Sequence, residues 1–306
     1  MPAIRPSAAP WSAARRRKVR VRDFDCHVTE LGDPGQPALL LVHGWPQHSA
    51  CWRHVAPELA RHFHVVMPDL RGMGQSIDAP LAPGQGCKEE LARDLIALLD
   101  VMGLSKVHAI GHDWGGWTTF VATLRYPQRF HRYICLGVPH PWQRFDWPLL
   151  KNLWRFWYQL VAAGPWAGPA LRATPGFVTR FTRMNLAHPE RWSAADFALH
   201  ADAYRNPSAI AATRRVYTDF ILREFMPVGL GRYRDVRATV PTRLVLGRAD
   251  RCISWELGRG MDGRGDNLAL QIWDDVGHFI PEEAPQRVIQ LARSFFEVRG
   301  GNGDKS

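Results

Sequence analysis

Long apolar runs are missing from this 306-residue sequence. No stretch approaches the ~18 uninterrupted apolar residues that a membrane-crossing helix needs. Cysteine is sparse: Cys26, Cys51, Cys87, Cys135 and Cys252 are odd in number, widely spaced and without a Cys-x-x-Cys pair. That argues against a disulfide framework and for a reducing, cytoplasmic setting. No Gly-x-x-x-x-Gly-Lys loop is present to cradle nucleotide phosphates. His108 and His112 lie four apart, but on a strand and its turn rather than on one helix face, so they do not form a zinc pair. No other His or Cys cluster has ligand spacing, and the expectation is no metal and no organic cofactor. Acid is absent before Asp23, while Arg5, Arg15, Arg16, Arg17, Lys18, Arg20 and Arg22 crowd the first 22 positions. The expectation there is a solvated basic tail over residues 1–23. No apolar segment follows the paired arginines, so an export signal is not expected. Without that stretch the net charge of +10 falls to about +3, which implies no specific nucleic-acid partner.

What the sequence has is an ordinary core-forming composition, 46% hydrophobic and 22% charged. From residue 24 onward short apolar strands alternate with amphipathic helices. Strands are predicted at Cys26 to Leu31, Ala38 to Val42, Phe63 to Met67, Val107 to Gly111 and Tyr133 to Val138. Helices are predicted at Glu89 to Gly103 and Gly115 to Tyr126. This cadence implies an α/β fold with a mostly parallel sheet. It stops between Pro139 and Thr239, a stretch holding six of the 13 tryptophans, and resumes with Arg243 to Gly247, Leu268 to Trp273 and a last helix from Gln286 to Val298. The expected organisation is a core over residues 24–138 and 240–299, interrupted by a helical cap over residues 139–239. A Trp-rich cap suggests a large apolar pocket for a small apolar organic substrate. The sequence does not give an oligomeric state.

Four motifs sit at carboxyl ends of predicted strands, where open α/β sheets build their sites. Gly111-His112-Asp113-Trp114-Gly115 follows an apolar strand and opens a helix. A side chain on such a sharp turn has strained backbone angles and close neighbours, hence the flanking glycines. Read alone, Asp113 could equally be an N-cap. His43-Gly44-Trp45-Pro46 can turn the Trp45 N–H toward the same edge. Asp250 follows one late strand, and His278 lies in the loop after the last.

Together these residues resemble the α/β-hydrolase fold, with nucleophile, acid and His in that family's order, over about residues 24–298. The resemblance implies a mostly parallel sheet flanked by helices, with an inserted helical cap. Asp113 stands where most esterases and lipases of the fold place Ser. That is similar to the Asp-nucleophile branch of epoxide hydrolases and dehalogenases, which form an alkyl-enzyme ester. It implies Asp113 as nucleophile, His278 as the base that activates water, Asp250 as its orienting acid, and the N–H groups of Trp45 and Trp114 as oxyanion hole. His43-Gly44-Trp45-Pro46, the nucleophile turn and Val138-Pro139-His140-Pro141 resemble epoxide hydrolases in particular.

The cap departs from that family. Its two epoxide-holding tyrosines imply Tyr217, here followed by Thr218 instead of Arg, and a position occupied by Trp154. Tyr158 or Tyr204 could substitute. Trp154, Tyr158 and His43 are expected at the substrate, although His43 also reads as support for the oxyanion loop. Trp114 with Trp154 could instead hold a halide, so a haloalkane dehalogenase is one alternative. A catalytically inactive ligand-binding protein of the same fold is another. Asp69-Leu70-Arg71-Gly72-Met73-Gly74-Gln75-Ser76 reads as a structural loop with its Asp tied to backbone or Arg.

Overall fold

The computed structural model describes residues 11–77, 81–172 and 176–297. Eight strands form one sheet: β1 Arg15–Val21, β2 Phe24–Leu31, β3 Ala38–Val42, β4 His64–Pro68, β5 Val107–His112, β6 Phe130–Leu136, β7 Thr242–Gly247 and β8 Leu268–Trp273. Their spatial order is β1-β2-β4-β3-β5-β6-β7-β8. The two pairings β1/β2 and β2/β4 are antiparallel, and the other five are parallel. Helices cover both faces, so the inner strands are mostly apolar, and β3 is apolar throughout. Alternation sorts them between two cores: Leu40 and Val42 of β3 join one cluster, Leu39 and Leu41 the other.

The basic tail expected over residues 1–23 is corrected over Arg15–Val21, which is an edge strand. Val19 and Val21 alternate with charges and are buried. The arginines lie along acids: Arg17 Nε is 2.7 Å from Glu30, Arg20 is 3.3 Å from Asp25, and Arg22 is 2.9 Å from Asp94. A charged outer strand also discourages pairing with a second chain. Residues 1–10 of the expected tail, and the polar end at residues 300–306, lie outside the described residues.

Between β6 and β7 the chain forms only helices among the described residues, from Trp147–Asn152 to Phe225–Gly229. This cap lies over the carboxyl ends of the parallel strands. Asn206 caps the helix Pro207–Asp219 through its side chain, with Pro207 in the first turn. That helix continues into a π-turn, Phe220–Glu224, and then Phe225–Gly229. No described helix is long and apolar enough to cross a membrane.

A buried ion pair ties core to cap. Lys88, fully buried at the start of the helix Lys88–Val101, has its ammonium 3.2 Å from Glu224 of the π-turn. The ammonium also lies 4.0 Å above the Trp114 ring. Removing one partner leaves a buried charge uncompensated. Lys88→Ala is expected to cost about 3–5 kcal/mol in urea unfolding, and Lys88→Met with Glu224→Gln to recover part of it. Equal losses in the two variants would contradict this account.

Candidate active site

The site is assembled at the carboxyl ends of β3, β5, β7 and β8. β5 runs straight into the helix Asp113–Arg125, and the junction forces Asp113 to φ +49°. A non-glycine residue there is strained, and such strain collects at functional sites. Close approach explains the neighbouring glycines. A Cβ on Gly44 would meet the Asp113 Cβ at 2.5 Å, and one on Gly115 would meet the His43 carbonyl oxygen at 2.1 Å. The turn after β3 and the turn that carries Asp113 therefore lie in close contact.

That contact aims the donors. The Trp45 N–H donates to Asp113 Oδ2 at 2.9 Å, and the neighbouring Trp114 N–H helps to favour the charged carboxylate. The Trp45–Pro46 bond is cis. Asp113 Oδ1 is 3.5 Å from His278 Nε2, and His278 Nδ1 is 2.8 Å from Asp250 Oδ2. Asp250 is fixed in turn by the N–H groups of Cys252 and Ile253, at 2.7 and 2.8 Å on its other oxygen. His278 is clamped through its backbone: its N–H donates to the Asn185 carbonyl and its own carbonyl accepts from His112 Nε2, both at 2.8 Å.

The charges follow from this geometry. Burial opposes the charged form of His278, but the Asp250 charge and the hydrogen bonds to Asp113 and Asp250 outweigh it and raise the imidazole to about 10. Burial likewise opposes ionisation of Asp113, yet the His278 contact and the backbone donors hold it below the ordinary carboxylate value. The resting arrangement is thus a carboxylate, an imidazolium and a second carboxylate in a row. His112, beside His278, is pushed down to about 4 by burial and by that positive neighbour, so it stays neutral.

Above Asp113 lies an aromatic roof. Trp45 packs on Tyr158, Phe181, Tyr204 and Tyr217 with ring centroids 5.1–6.1 Å apart, and its indole N–H donates to Thr213 of the cap at 3.2 Å. Tyr158 and Tyr217 are both buried and lie edge to face at 5.9 Å. Burial first, and then nearby groups that include the Asp113 charge, push both phenols well above their usual value. Both therefore carry their protons at neutral pH and can donate them.

The structure brings Asp113, His278, Asp250, Trp45, Trp114, Tyr158 and Tyr217 together and leaves two expected residues out. Trp154 is corrected: it lies on the outside of the cap, 67% exposed, and does not line the cavity at Asp113. The expected halide pair of Trp114 and Trp154 therefore does not form. His43 is also corrected from substrate contact to scaffold. It is fully buried, its Nδ1–H donates to the Gly44 carbonyl at 3.0 Å, and its Nε2 accepts the Leu70 N–H at 2.9 Å. Asp69 is tied to backbone, accepting the N–H groups of Ser49 and Gln75, as the loop reading expected.

The cavity over Asp113 is apolar and narrow, about 50 Å³, against the large pocket suggested by the tryptophans. The reason is orientation: Trp147, Trp154, Trp157 and Trp166 are between 45% and 72% exposed and do not line it. Its walls include Trp114, Trp117, Tyr158, Phe220 and Phe225. Sequence reading missed Cys252, whose thiol donates to the Tyr158 hydroxyl at 3.1 Å. The only available signal was its position two residues after Asp250.

Residues 37–285 match the alpha/beta hydrolase fold family. The chain is 28% identical over 284 residues to the soluble epoxide hydrolase of Corynebacterium sp., covering 90% of this chain and 95% of that protein. It is 28% identical over 317 residues to epoxide hydrolase A of Mycobacterium tuberculosis, covering 92% and 97%. The solved structure of epoxide hydrolase CorEH without ligand superposes with a TM-score of 0.77 at 26% identity, covering 93% of this chain and 99% of that one. A match of this extent, on a mostly parallel eight-stranded sheet, makes the chain a hydrolase belonging to the α/β-hydrolase fold family.

Proposed function

We propose that this chain is an epoxide hydrolase acting on small apolar epoxides in the cytoplasm through an alkyl ester on Asp113. One observation carries the reading: Asp113, on its strained turn and in line with His278 and Asp250, shares an apolar cavity with the buried Tyr158, and the buried Tyr217 packs against Trp45, Trp114 and Tyr158 beside it. The named relatives favour it as well.

The chemistry runs in two halves. Asp113 Oδ2 is held by the Trp45 N–H, so Oδ1 is the attacking atom. It forms a bond to an epoxide carbon as the strained C–O bond breaks. The developing alkoxide is more basic than a phenolate and takes a proton from Tyr217 or Tyr158. The ester has then lost the Asp113 charge that helped to hold the proton on His278, so the imidazole becomes easier to deprotonate, and its proton passes through water to the phenolate, restoring the tyrosine. Neutral His278 removes a proton from water, and the hydroxide adds to the ester carbonyl carbon. Trp45 and Trp114 N–H groups stabilise the resulting oxyanion. Asp250 stabilises the imidazolium and holds its tautomer. The intermediate collapses by breaking its C–O bond to the substrate, the departing alkoxide takes the intermediate's hydroxyl proton by way of His278, and the diol leaves with His278 again protonated and Asp113 again a carboxylate carrying one oxygen from water.

The test is a paired assay of diol release from an epoxide panel and halide release from a haloalkane panel, with Asp113→Ala as blank. Diol without halide is expected. Halide without diol, or ligand binding with no turnover on either panel, would overturn the reading. The phenols have their own signature in single-turnover kinetics. Tyr217→Phe and Tyr158→Phe are each expected to slow ring opening by about 10²-fold while leaving ester hydrolysis near its original rate. Equal slowing of both steps would reject the donor role.

A further inference from the structure

An exposed apolar groove runs along the outer side of the cap, between the segment Leu153–Phe156 with the helix Trp157–Ala163 and the π-turn Phe220–Glu224. It encloses about 300 Å³. Its outer lining includes Trp154, Trp157, Leu160 and Ile221, and two of these, Trp154 and Leu160, are about two-thirds exposed (67% and 66%). A contiguous apolar surface of this kind marks a binding site more often than a solvated face. The catalytic cavity holds only about 50 Å³, where ligand pockets generally run to about 300–1,000 Å³.

The two spaces share a wall. Phe156, Gln159, Phe220 and Phe225 line both the cavity at Asp113 and the outer groove. The π-turn is what builds this partition. Its widened turn bonds the Phe225 N–H to the Phe220 carbonyl, and the two rings, five positions apart, lie 6.0 Å from each other in one wall. Phe220 also packs on Trp114, the residue after the nucleophile, at 4.9 Å. A wall of side chains one residue thick, on a helix distorted at that point, can part by rotamer change.

We propose that this groove is a second substrate subsite, taking the hydrocarbon tail of an extended epoxide whose ring lies at Asp113, with the tail passing through the Phe156/Gln159/Phe220/Phe225 wall. The preferred substrates are then terminal epoxides on long alkyl or arylalkyl chains, which rests on the epoxide reading above. Continuity with the cavity selects a substrate tail as the occupant. The groove meets the cavity through apolar side chains and offers no charged group among its lining residues to recognise a polar ligand.

The experiment is a chain-length series from 1,2-epoxybutane to 1,2-epoxydodecane, read as kcat/KM in the protein and in Leu160→Glu. Leu160 is exposed, so the substitution is compatible with folding, and Trp154→Ala serves as a second variant. Each methylene entering the groove is expected to raise kcat/KM by roughly three- to fourfold until the groove is filled. In Leu160→Glu the dodecane-to-butane ratio is expected to fall at least about tenfold. An unchanged ratio in both variants, or kcat/KM falling steadily beyond short chains, overturns the subsite. A binding arm separates this from the reaction itself. Decanamide is expected to bind at least about tenfold more tightly than butanamide by calorimetry, with the difference lost in Leu160→Glu. Equal affinity of the two amides overturns the groove even if short epoxides are hydrolysed. Retained discrimination without turnover of any epoxide overturns the epoxide reading alone.

Discussion

Asp113→Ala is expected to lower epoxide turnover by about 10⁴-fold or more, with the fold intact. No other described carboxylate has the same position. Asp250 points to the far side of His278, and its remaining oxygen is occupied by two backbone donors. Substantial remaining activity would remove Asp113 as nucleophile. The same variant reports on the electrostatics. It deletes one of the two carboxylates that hold His278 near 10, so an NMR titration of that imidazole should give a midpoint well below that value. The sign matters for mechanism. A lowered His278 midpoint means that loss of the Asp113 charge, which alkylation also causes, frees the imidazole to act as a base. An unmoved midpoint would mean that Asp250 alone sets the protonation state, and the coupling between the two half-reactions would be lost.

His278→Ala should separate the halves. Ring opening needs Asp113 and the phenols, whereas ester hydrolysis needs the imidazole. Steady-state turnover is expected to fall by about 10²–10⁴-fold, the usual worth of a general base. The ester should accumulate. Mass spectrometry of the peptide containing Asp113 should then show an increase equal to the full mass of the epoxide, because ring opening expels no leaving group. A haloalkane would instead add its mass less that of the hydrogen halide, so the same spectrum identifies the chemistry. Finding neither an adduct nor a loss of turnover would count against both the ester and the base.

The parts of this protein legible in the sequence are those governed by neighbours along the chain. A strand buried on both faces is rich in apolar residues, and Ala38–Val42 was placed to the residue; the edge strand Leu268–Trp273, apolar except for Gln271, was placed as closely. The turn that carries Asp113 was legible because its geometry demands small residues at fixed offsets, and Gly111 and Gly115 supply them. Asp250 and His278 were legible as candidates because they lie in the loops that follow β7 and β8.

Tertiary structure decided the rest. Val19 and Val21 were hidden in a basic run, since two apolar positions among charges become a strand only when β2 and its acids lie alongside. The cap is the larger case. Trp154 and Tyr158 are four apart, and a regular α-helix would put them within about 40° of each other, on one face. The chain instead makes a 3-10 turn over Leu153–Phe156 before the α-helix Trp157–Ala163 begins. The tighter turn widens the separation to about 100°, so Trp154 faces outward and Tyr158 faces Asp113. Local composition does not encode that change of phase. It is selected by how the cap packs on Trp45 and the core, where Tyr158 buries its ring and finds the Cys252 thiol for its hydroxyl. The sequence by itself thus determined the inner strands and the turn that carries Asp113, because short-range sterics and periodicity carry them. Which aromatic residues meet the substrate was decided only by the folded cap, because helix phase depends on contacts made across the whole molecule.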